Sequence, residues 1–234
     1  MSELILVRHG QASFGTDNYD RLSDKGVEQV KILSRHWRDL GLSFDAIYCG
    51  SLLRQQQTAA ELLPLVQTGQ VVTNASLNEY NGDPLIQVYL RKYALADGFP
   101  KDLQWPIRDE KQFQKLFEAA TSRWIENTLE PDASDEKFEY WQDFQRRVYQ
   151  VIDTIMAKHD RGSKILLSTS GGVIAMALQR VLQFSDAQVI ATNWMVHNSS
   201  VTKFRYGNGR VSLSQFNNIA HLESPALQSM VTYR

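Results

Sequence analysis

Short runs of consecutive aliphatic residues alternate along the chain with segments in which apolar residues return every three or four positions. The first run, residues 4–7, has no polar alternation, which is typical of a strand buried on both faces. Further strands are predicted over residues 44–49, 71–73 and 164–167. Because strands that alternate with helices form parallel sheets, this pattern predicts a mostly parallel sheet with helices on both faces.

Apolar residues at helical spacing predict the helices between these strands. Ser23 is expected to cap the first helix, and Ser51 the second, which should stop at Pro64. A further helix is predicted from Asp135 onward, and another over residues 173–182.

The last part of the chain and its middle segment differ from this rhythm. Strand-like runs at residues 199–205 and 211–216 flank Gly207-Asn208-Gly209, which is typical of a hairpin turn. Residues 84–130 are rich in aromatic side chains and are expected to form a cap insertion. We therefore expect one domain over residues 1–234: a three-layer α/β/α sandwich whose mostly parallel central sheet carries a helical cap insertion.

Composition narrows the functional classes. The 234 residues carry a formal net charge of −1, so neither nucleic acid nor a membrane is expected as a partner. Seven Lys and Arg residues balance seven Asp and Glu residues within 84–130, which allows a modest phosphoester with an apolar portion. The single cysteine, Cys49, excludes an internal disulfide and fits a reducing compartment. No secretory signal or bilayer-length apolar run is visible, so a cytoplasmic location is expected.

Two basic motifs follow predicted strands, at the edge where open α/β sheets bind ligands. In Arg8-His9-Gly10 the guanidinium suits phosphate or carboxylate oxygens, and the imidazole suits a nucleophile or an acid–base group. Arg54 lies in the first turn of the second helix, from which it can reach an anion near the helix N-terminus. Taken singly, each of these residues also fits an ordinary structural or surface role.

Taken together, the stretches LVRHGQAS (residues 6–13), YCGSLLRQQQTA (48–59) and RLSDKGVEQV (21–30) resemble the histidine phosphatase superfamily, also called the phosphoglycerate mutase-like family. The resemblance implies that His9 is a nucleophile that forms a phosphohistidine, and that Arg8 and Arg54 hold the phosphoryl oxygens. The two guanidinium groups should lower the pKa of His9. Glu79, in SLNEYNGDP, matches the general acid and should be partly buried, with a raised pKa.

The activity implied by the resemblance is that of a phosphoric monoester hydrolase of the histidine acid phosphatase type, acting on a small phosphorylated metabolite. No cofactor is expected. A metal site is not expected either, because His36, His159 and His221 share no ligand spacing. The substrate's identity and the oligomeric state are left open.

One position departs from the family pattern. The family's second turn reads Ser-His-Gly-Gly, whereas this chain has Ser170 where the histidine is expected. Ser170 with Thr169, Gly171 and the adjoining backbone amides is one candidate replacement as phosphate ligand. His197 is a second candidate. The third alternative is a protein that binds a phosphate ligand with weak or no catalysis.

Two other activities are less favoured. Mutases of the family have a longer loop after Arg-His-Gly, with an N-x-x-x-x-F-x-G-W pattern, and this chain has the shorter QASFGTDNYDRL (residues 11–22). Ser170 on a strand-to-helix turn also resembles a serine hydrolase nucleophile, but that scheme leaves Arg8, His9 and Arg54 unexplained.

Overall fold

The computed structural model describes residues 1–13, 20–101, 103, 107 and 109–233. Within these residues six strands form one sheet in the order β3-β2-β4-β1-β5-β6. The first four strands pair in parallel, and the last two run antiparallel to their neighbours. The strands are β1 (Ser2–Arg8), β2 (Ala46–Cys49), β3 (Val71–Thr73), β4 (Lys164–Thr169), β5 (Val201–Gly207) and β6 (Arg210–Asn218).

Helices cover both faces of this sheet. The helices of the described residues are α1 (Asp24–Asp39), α2 (Leu53–Leu62), α3 (Gly82–Lys92), α4 (Glu110–Ile125), α5 (Trp141–Lys158), α6 (Gly171–Leu182) and α7 (Asp186–Met195). Ile5 and Val7 of β1 face a core shared with α1 and α2, whereas Leu4 and Leu6 face a larger core shared with α3 to α7. The predicted three-layer fold with a mostly parallel sheet is confirmed. Each of these helices is too short or too polar to cross a lipid bilayer.

The register of the sheet brings the candidate motifs to one edge. Arg8 at the end of β1 pairs with Thr169 at the end of β4, and Cys49 of β2 pairs with Ser168. The residues that follow these three parallel strands therefore emerge side by side. They include His9 after β1 and Ser170 after β4.

Two predicted helix starts are wrong. Ser51 does not cap α2, because its hydroxyl accepts a hydrogen bond from the Asn78 amide; Leu53 N donates to the Asp20 carboxylate instead. The helix predicted from Asp135 begins only at Trp141, since the Asp135 carboxylate pairs with Arg91 and accepts from a backbone N–H in the preceding loop.

Other local predictions are confirmed. The Ser23 side chain accepts from Gly26 N and caps α1. Asn208 and Gly209, both with positive φ, form the two-residue turn between β5 and β6. Helix α7 was not predicted from the sequence. Residues 14–19 of the predicted loop and residues 102, 104–106 and 108 of the predicted cap insertion lie outside the described residues.

Candidate active site

His9 is buried directly after β1, with its ring held by the backbone. Its Nδ1 lies 2.7 Å from the carbonyl oxygen of Gly10, so Nδ1–H donates there and Nε2 keeps its lone pair. Burial lowers the pKa of His9 well below its usual value, and the charges of Arg54 and Arg8 lower it further. His9 is therefore neutral near pH 7, with its unprotonated Nε2 directed away from the Gly10 carbonyl.

Arg54 lies beside that nitrogen. Its Nε donates to His9 Nε2 across 3.2 Å, from the first turn of α2. Its Nη1 contacts Asp20 Oδ1 at 2.5 Å, and the other oxygen of Asp20 accepts from Leu53 N at 2.8 Å. One carboxylate thus caps α2 and fixes the Arg54 guanidinium over the imidazole.

Arg8 reaches the same region from the end of β1. Its Nη1 donates to the carbonyl of Val196, which follows α7. Its positive charge lowers the pKa values of both His9 and Glu79, which places the guanidinium near the two groups. Two guanidinium groups and one imidazole therefore converge at the sheet edge, an arrangement suited to a tetrahedral oxyanion.

Glu79 is half-buried and bound to the start of α6. Its Oε2 accepts from Gly172 N at 2.8 Å, and its Oε1 accepts from Tyr80 N at 3.2 Å. Burial raises the pKa of Glu79 despite these hydrogen bonds and the nearby Arg54 and Arg8 charges. The direction of this shift agrees with the sequence-based expectation and favours the protonated form that a proton donor needs.

Gly172 permits this contact. A Cβ at position 172 would lie 2.2 Å from Glu79 Oε1 and 2.9 Å from Tyr80 Cε1. Such distances are too short for any side chain, so the glycine lets the carboxylate approach the helix backbone.

Ser170 lies between β4 and α6, where it is almost fully buried. Its Oγ accepts from Gln55 Nε2 at 2.9 Å, which leaves its own O–H proton to donate to a ligand. The Thr169 hydroxyl donates to Leu77 O at 2.7 Å, and Gly172 N donates to Glu79. Ser170, Thr169, Gly171 and the adjoining amides were the candidates to replace a histidine as phosphate ligand. The bonds described here engage the Thr169 hydroxyl and Gly172 N. They leave the Ser170 hydroxyl proton and the Gly171 N–H as candidate donors to a phosphate.

His197 is placed differently. Its ring centroid lies 4.2 Å from that of Tyr233, and its backbone N–H donates to Asn217 Oδ1. The residue is in the connection between α7 and β5 rather than on a strand. These contacts turn the imidazole towards the C-terminal segment.

A family model of the histidine phosphatase superfamily (branch 1) matches residues 4–115 and 103–219 of the chain. The chain belongs to this superfamily. The resemblance seen in the motifs is thereby confirmed, and the matched residues contain each of the site residues described above.

Proteins similar to this chain include phosphoglycerate mutases and a phosphoserine phosphatase. The chain is 24% identical to a 2,3-bisphosphoglycerate-dependent phosphoglycerate mutase of Parvibaculum lavamentivorans over 81% of this chain and 84% of that protein. A Bartonella henselae protein of the same name is 26% identical over 40% of this chain, and the match spans only 57% of the relative. A phosphoserine phosphatase of Entamoeba histolytica, solved with phosphoserine, superposes with a TM-score of 0.65 at 17% identity, over 95% of this chain and 100% of that one. At that identity the structural likeness shows the shared fold.

Several residues at this site were not predicted from the sequence. Asp20 orients Arg54, Gln55 donates to Ser170, and Asn193 Nδ2 donates to the hydroxyl of Tyr80 at 3.2 Å. Asn198 Nδ2 donates to the carbonyl of His9 at 3.2 Å. Gln55 could have been identified from the sequence, because it follows Arg54 in the motif YCGSLLRQQQTA. The other partners lie far along the chain from the residues that they contact. Among the described residues no group of three or more His, Cys, Asp or Glu side chains could hold a metal ion.

Proposed function

We propose that the protein is a phosphomonoesterase that acts through a phosphohistidine intermediate on a small phosphorylated metabolite. The observation that carries the proposal is the His9 imidazole, whose Nδ1 is held by the Gly10 carbonyl and whose Nε2 lies 3.2 Å from Arg54 Nε. Membership of the superfamily and the phosphatases among its structural relatives support a hydrolase-type reaction.

The first half of the reaction forms the phosphohistidine. The lone pair of His9 Nε2 attacks phosphorus, and the bond from phosphorus to the alcohol oxygen breaks in line. Arg8 and Arg54 neutralise charge on the phosphoryl oxygens, with the Ser170 hydroxyl as a further donor. Glu79 supplies the proton that the departing alkoxide takes up.

The second half returns the enzyme to its starting state. A water molecule attacks the phosphoryl phosphorus while the Glu79 carboxylate accepts its proton. The bond from phosphorus to His9 Nε2 breaks, so the nitrogen regains its lone pair and inorganic phosphate leaves. Glu79 therefore acts first as acid and then as base, and each half-reaction prepares its protonation state for the other.

The test is phosphate release from 4-nitrophenyl phosphate by the purified protein and by His9→Ala. The variant should lose activity by more than about a thousandfold, since removal of a nucleophile leaves only the binding contribution. His197→Ala is the matched control and should keep at least about half of the activity, because the His197 ring lies against Tyr233. Turnover at the parent rate in His9→Ala would overturn the proposal, and loss in His197→Ala would restore that residue as a phosphate ligand.

Two alternative functions rest on specific observations. The named mutase relatives favour transfer of the phosphoryl group to a second substrate hydroxyl instead of water. Ser170 at the position of a family histidine favours a phosphate-binding protein with weak or no catalysis. Acid-labile labelling of His9 by a phosphoester separates binding from catalysis, and product analysis with 3-phosphoglycerate separates mutase from phosphatase.

A further inference from the structure

Three aromatic side chains form a continuous surface between the cap segment and α7. Phe113 and Phe117 lie on α4, and Trp194 lies on α7. The Trp194 ring is 5.1 Å from the Phe117 ring and 6.3 Å from the Phe113 ring, both edge-to-face. We call these three residues the aromatic wall. Phe117 is buried, whereas Phe113 and Trp194 are half-buried.

The aromatic wall is linked to Glu79 through two neighbouring residues, Asn193 and Tyr80. Asn193, next to Trp194, donates to the hydroxyl of Tyr80, and its Oδ1 lies 2.2 Å from where a Cβ of Gly171 would be. Tyr80 in turn follows Glu79 in the chain. One side of the wall is therefore joined, through Asn193 and Tyr80, to the group that would protonate the leaving alcohol.

Several cationic side chains of the described residues already serve other groups. Arg8 and Arg54 are the charged groups that shift the pKa of Glu79, and the phosphoryl group uses both. The basic residues of the cap helices α3 and α4 include three that are held in ion pairs with aspartates: Arg91, Lys92 and Arg123. A second anionic group on the substrate would lose hydration against the aromatic rings and would lie near the Glu79 carboxyl group.

We propose that the aromatic wall binds the leaving group, so that preferred substrates are phosphomonoesters of neutral aryl or arylalkyl alcohols rather than phosphorylated carboxylic acids. The inference rests on the proposed phosphomonoesterase activity. An aromatic leaving group packs edge-to-face against Trp194 and Phe113 and removes apolar surface from water. A carboxylate in the same position loses hydration against the aromatic rings.

The experiment compares kcat/KM for 2-phenylethyl phosphate, propyl phosphate and 3-phosphoglycerate. The first two release alcohols of similar acidity, so their ratio reports contacts with the leaving group. We expect 2-phenylethyl phosphate to exceed propyl phosphate by about tenfold or more, and 3-phosphoglycerate to be the poorest of the three.

Variants then assign the preference to the aromatic wall. Trp194→Leu should lower kcat/KM for 2-phenylethyl phosphate by about tenfold and change that for propyl phosphate by less than about twofold. Phe113→Leu should act in the same direction and replaces Trp194→Leu if the latter does not fold. Phe216→Leu alters an aromatic residue of β6 that is 39% exposed, and should change neither value.

The outcomes separate this inference from the proposed function. Equal turnover of the two alkyl esters, or preference for 3-phosphoglycerate, overturns the inference and leaves the phosphomonoesterase proposal standing. A preference that persists in both wall variants also overturns it. If no ester is hydrolysed by the folded protein, the proposed function itself fails, and the inference fails with it.

Discussion

Burial shifts the pKa values of the two proposed reacting groups, His9 and Glu79, in opposite directions. It is the largest cause of both the lowered pKa of His9 and the raised pKa of Glu79. Below its lowered pKa, His9 takes up a proton and loses its nucleophilic lone pair. Above its raised pKa, Glu79 loses the proton that the leaving group needs. Activity should therefore rise with pH through the pKa of His9 and fall through that of Glu79.

Glu79→Gln tests the proposal that Glu79 is the general acid. For propyl phosphate the variant should lose kcat by about 10²–10⁴-fold and should lack the alkaline limb of the pH profile, because glutamine does not ionise there. For 4-nitrophenyl phosphate the pre-steady-state burst of nitrophenolate should slow by less than about tenfold, since this leaving group needs little protonation. Steady-state phosphate release measures kcat for propyl phosphate, and stopped-flow absorbance measures the nitrophenolate burst. An equal loss in these two rates would contradict a role as general acid.

Ser170 supplies a second prediction at this scale. Its hydroxyl is an uncharged donor at the turn where the resemblance led us to expect a histidine, and its oxygen accepts from Gln55 Nε2. Ser170→Ala should lower kcat by about 10²–10³-fold, the range expected for one lost donor to a developing oxyanion. Ser170→His should raise kcat above the parent value, because the imidazole is a donor that can carry charge. Steady-state rates with 4-nitrophenyl phosphate, with circular dichroism as the folding control, decide; no loss in the alanine variant would remove Ser170 from the site.

Individual site residues differ in how well the sequence predicted their positions. Arg8 and His9 are adjacent, and their placement at a strand end follows from the aliphatic run before them. Asp20 and Asn198 act through contacts over more than thirty residues along the chain. Local pattern carries no information about such partners, because the approach of their loops depends on the finished fold.

The turn between β4 and α6 shows how an element start controls the site. Gly172→Ala would place a Cβ 2.2 Å from Glu79 Oε1 and displace the carboxylate. We expect kcat for propyl phosphate to fall by about a hundredfold, since misplacement of a catalytic group by about an ångström is that costly. Inhibition by inorganic phosphate should be unchanged, because Arg8 and Arg54 are not moved.

Gly82→Ala is the matched control for Gly172→Ala. Its Cβ would meet Phe117 at 3.6 Å and Tyr80 at 3.8 Å, which are ordinary contact distances. The control should keep kcat within about twofold of the parent value. A similar loss of kcat in both variants would show that general disturbance around Tyr80, rather than displacement of Glu79, causes the effect.

Helices and strands with a strong hydrophobic pattern were predictable from the sequence, whereas elements with a weak pattern were not. The aliphatic runs located β1 and β4, and Ser23 located the start of α1. The short helix α7 buries mainly Val189 and Ile190, so it has too narrow an apolar face to be recognised from the sequence. It nevertheless supplies Asn193 and Trp194.

At the scale of the whole molecule, the C-terminal segment ties α1 to the loop that holds His9. Gln29 of α1 donates from Nε2 to Met230 O and Thr232 Oγ1 at 2.6 and 2.8 Å, and its Oε1 accepts from Gln11 N. Thr232 Oγ1 donates to Asn198 Oδ1 at 2.9 Å, and Asn198 Nδ2 donates to the His9 carbonyl. Hydrogen bonds therefore join α1, the loop before β5 and the C-terminal segment next to the proposed nucleophile.

Thr232→Val breaks this connection with little change in side-chain shape. It leaves the buried Asn198 oxygen without its donor and removes one of the two acceptors of Gln29 Nε2, so the free energy of unfolding should fall by about 1–3 kcal/mol. Because Asn198 also holds the backbone of His9, kcat for 4-nitrophenyl phosphate should fall by about tenfold with little change in KM. Thr232→Ser keeps the hydroxyl and should retain both properties. Urea unfolding and steady-state kinetics measure them, and a stability loss with unchanged kcat would show that the C-terminal segment holds the fold together without positioning the nucleophile.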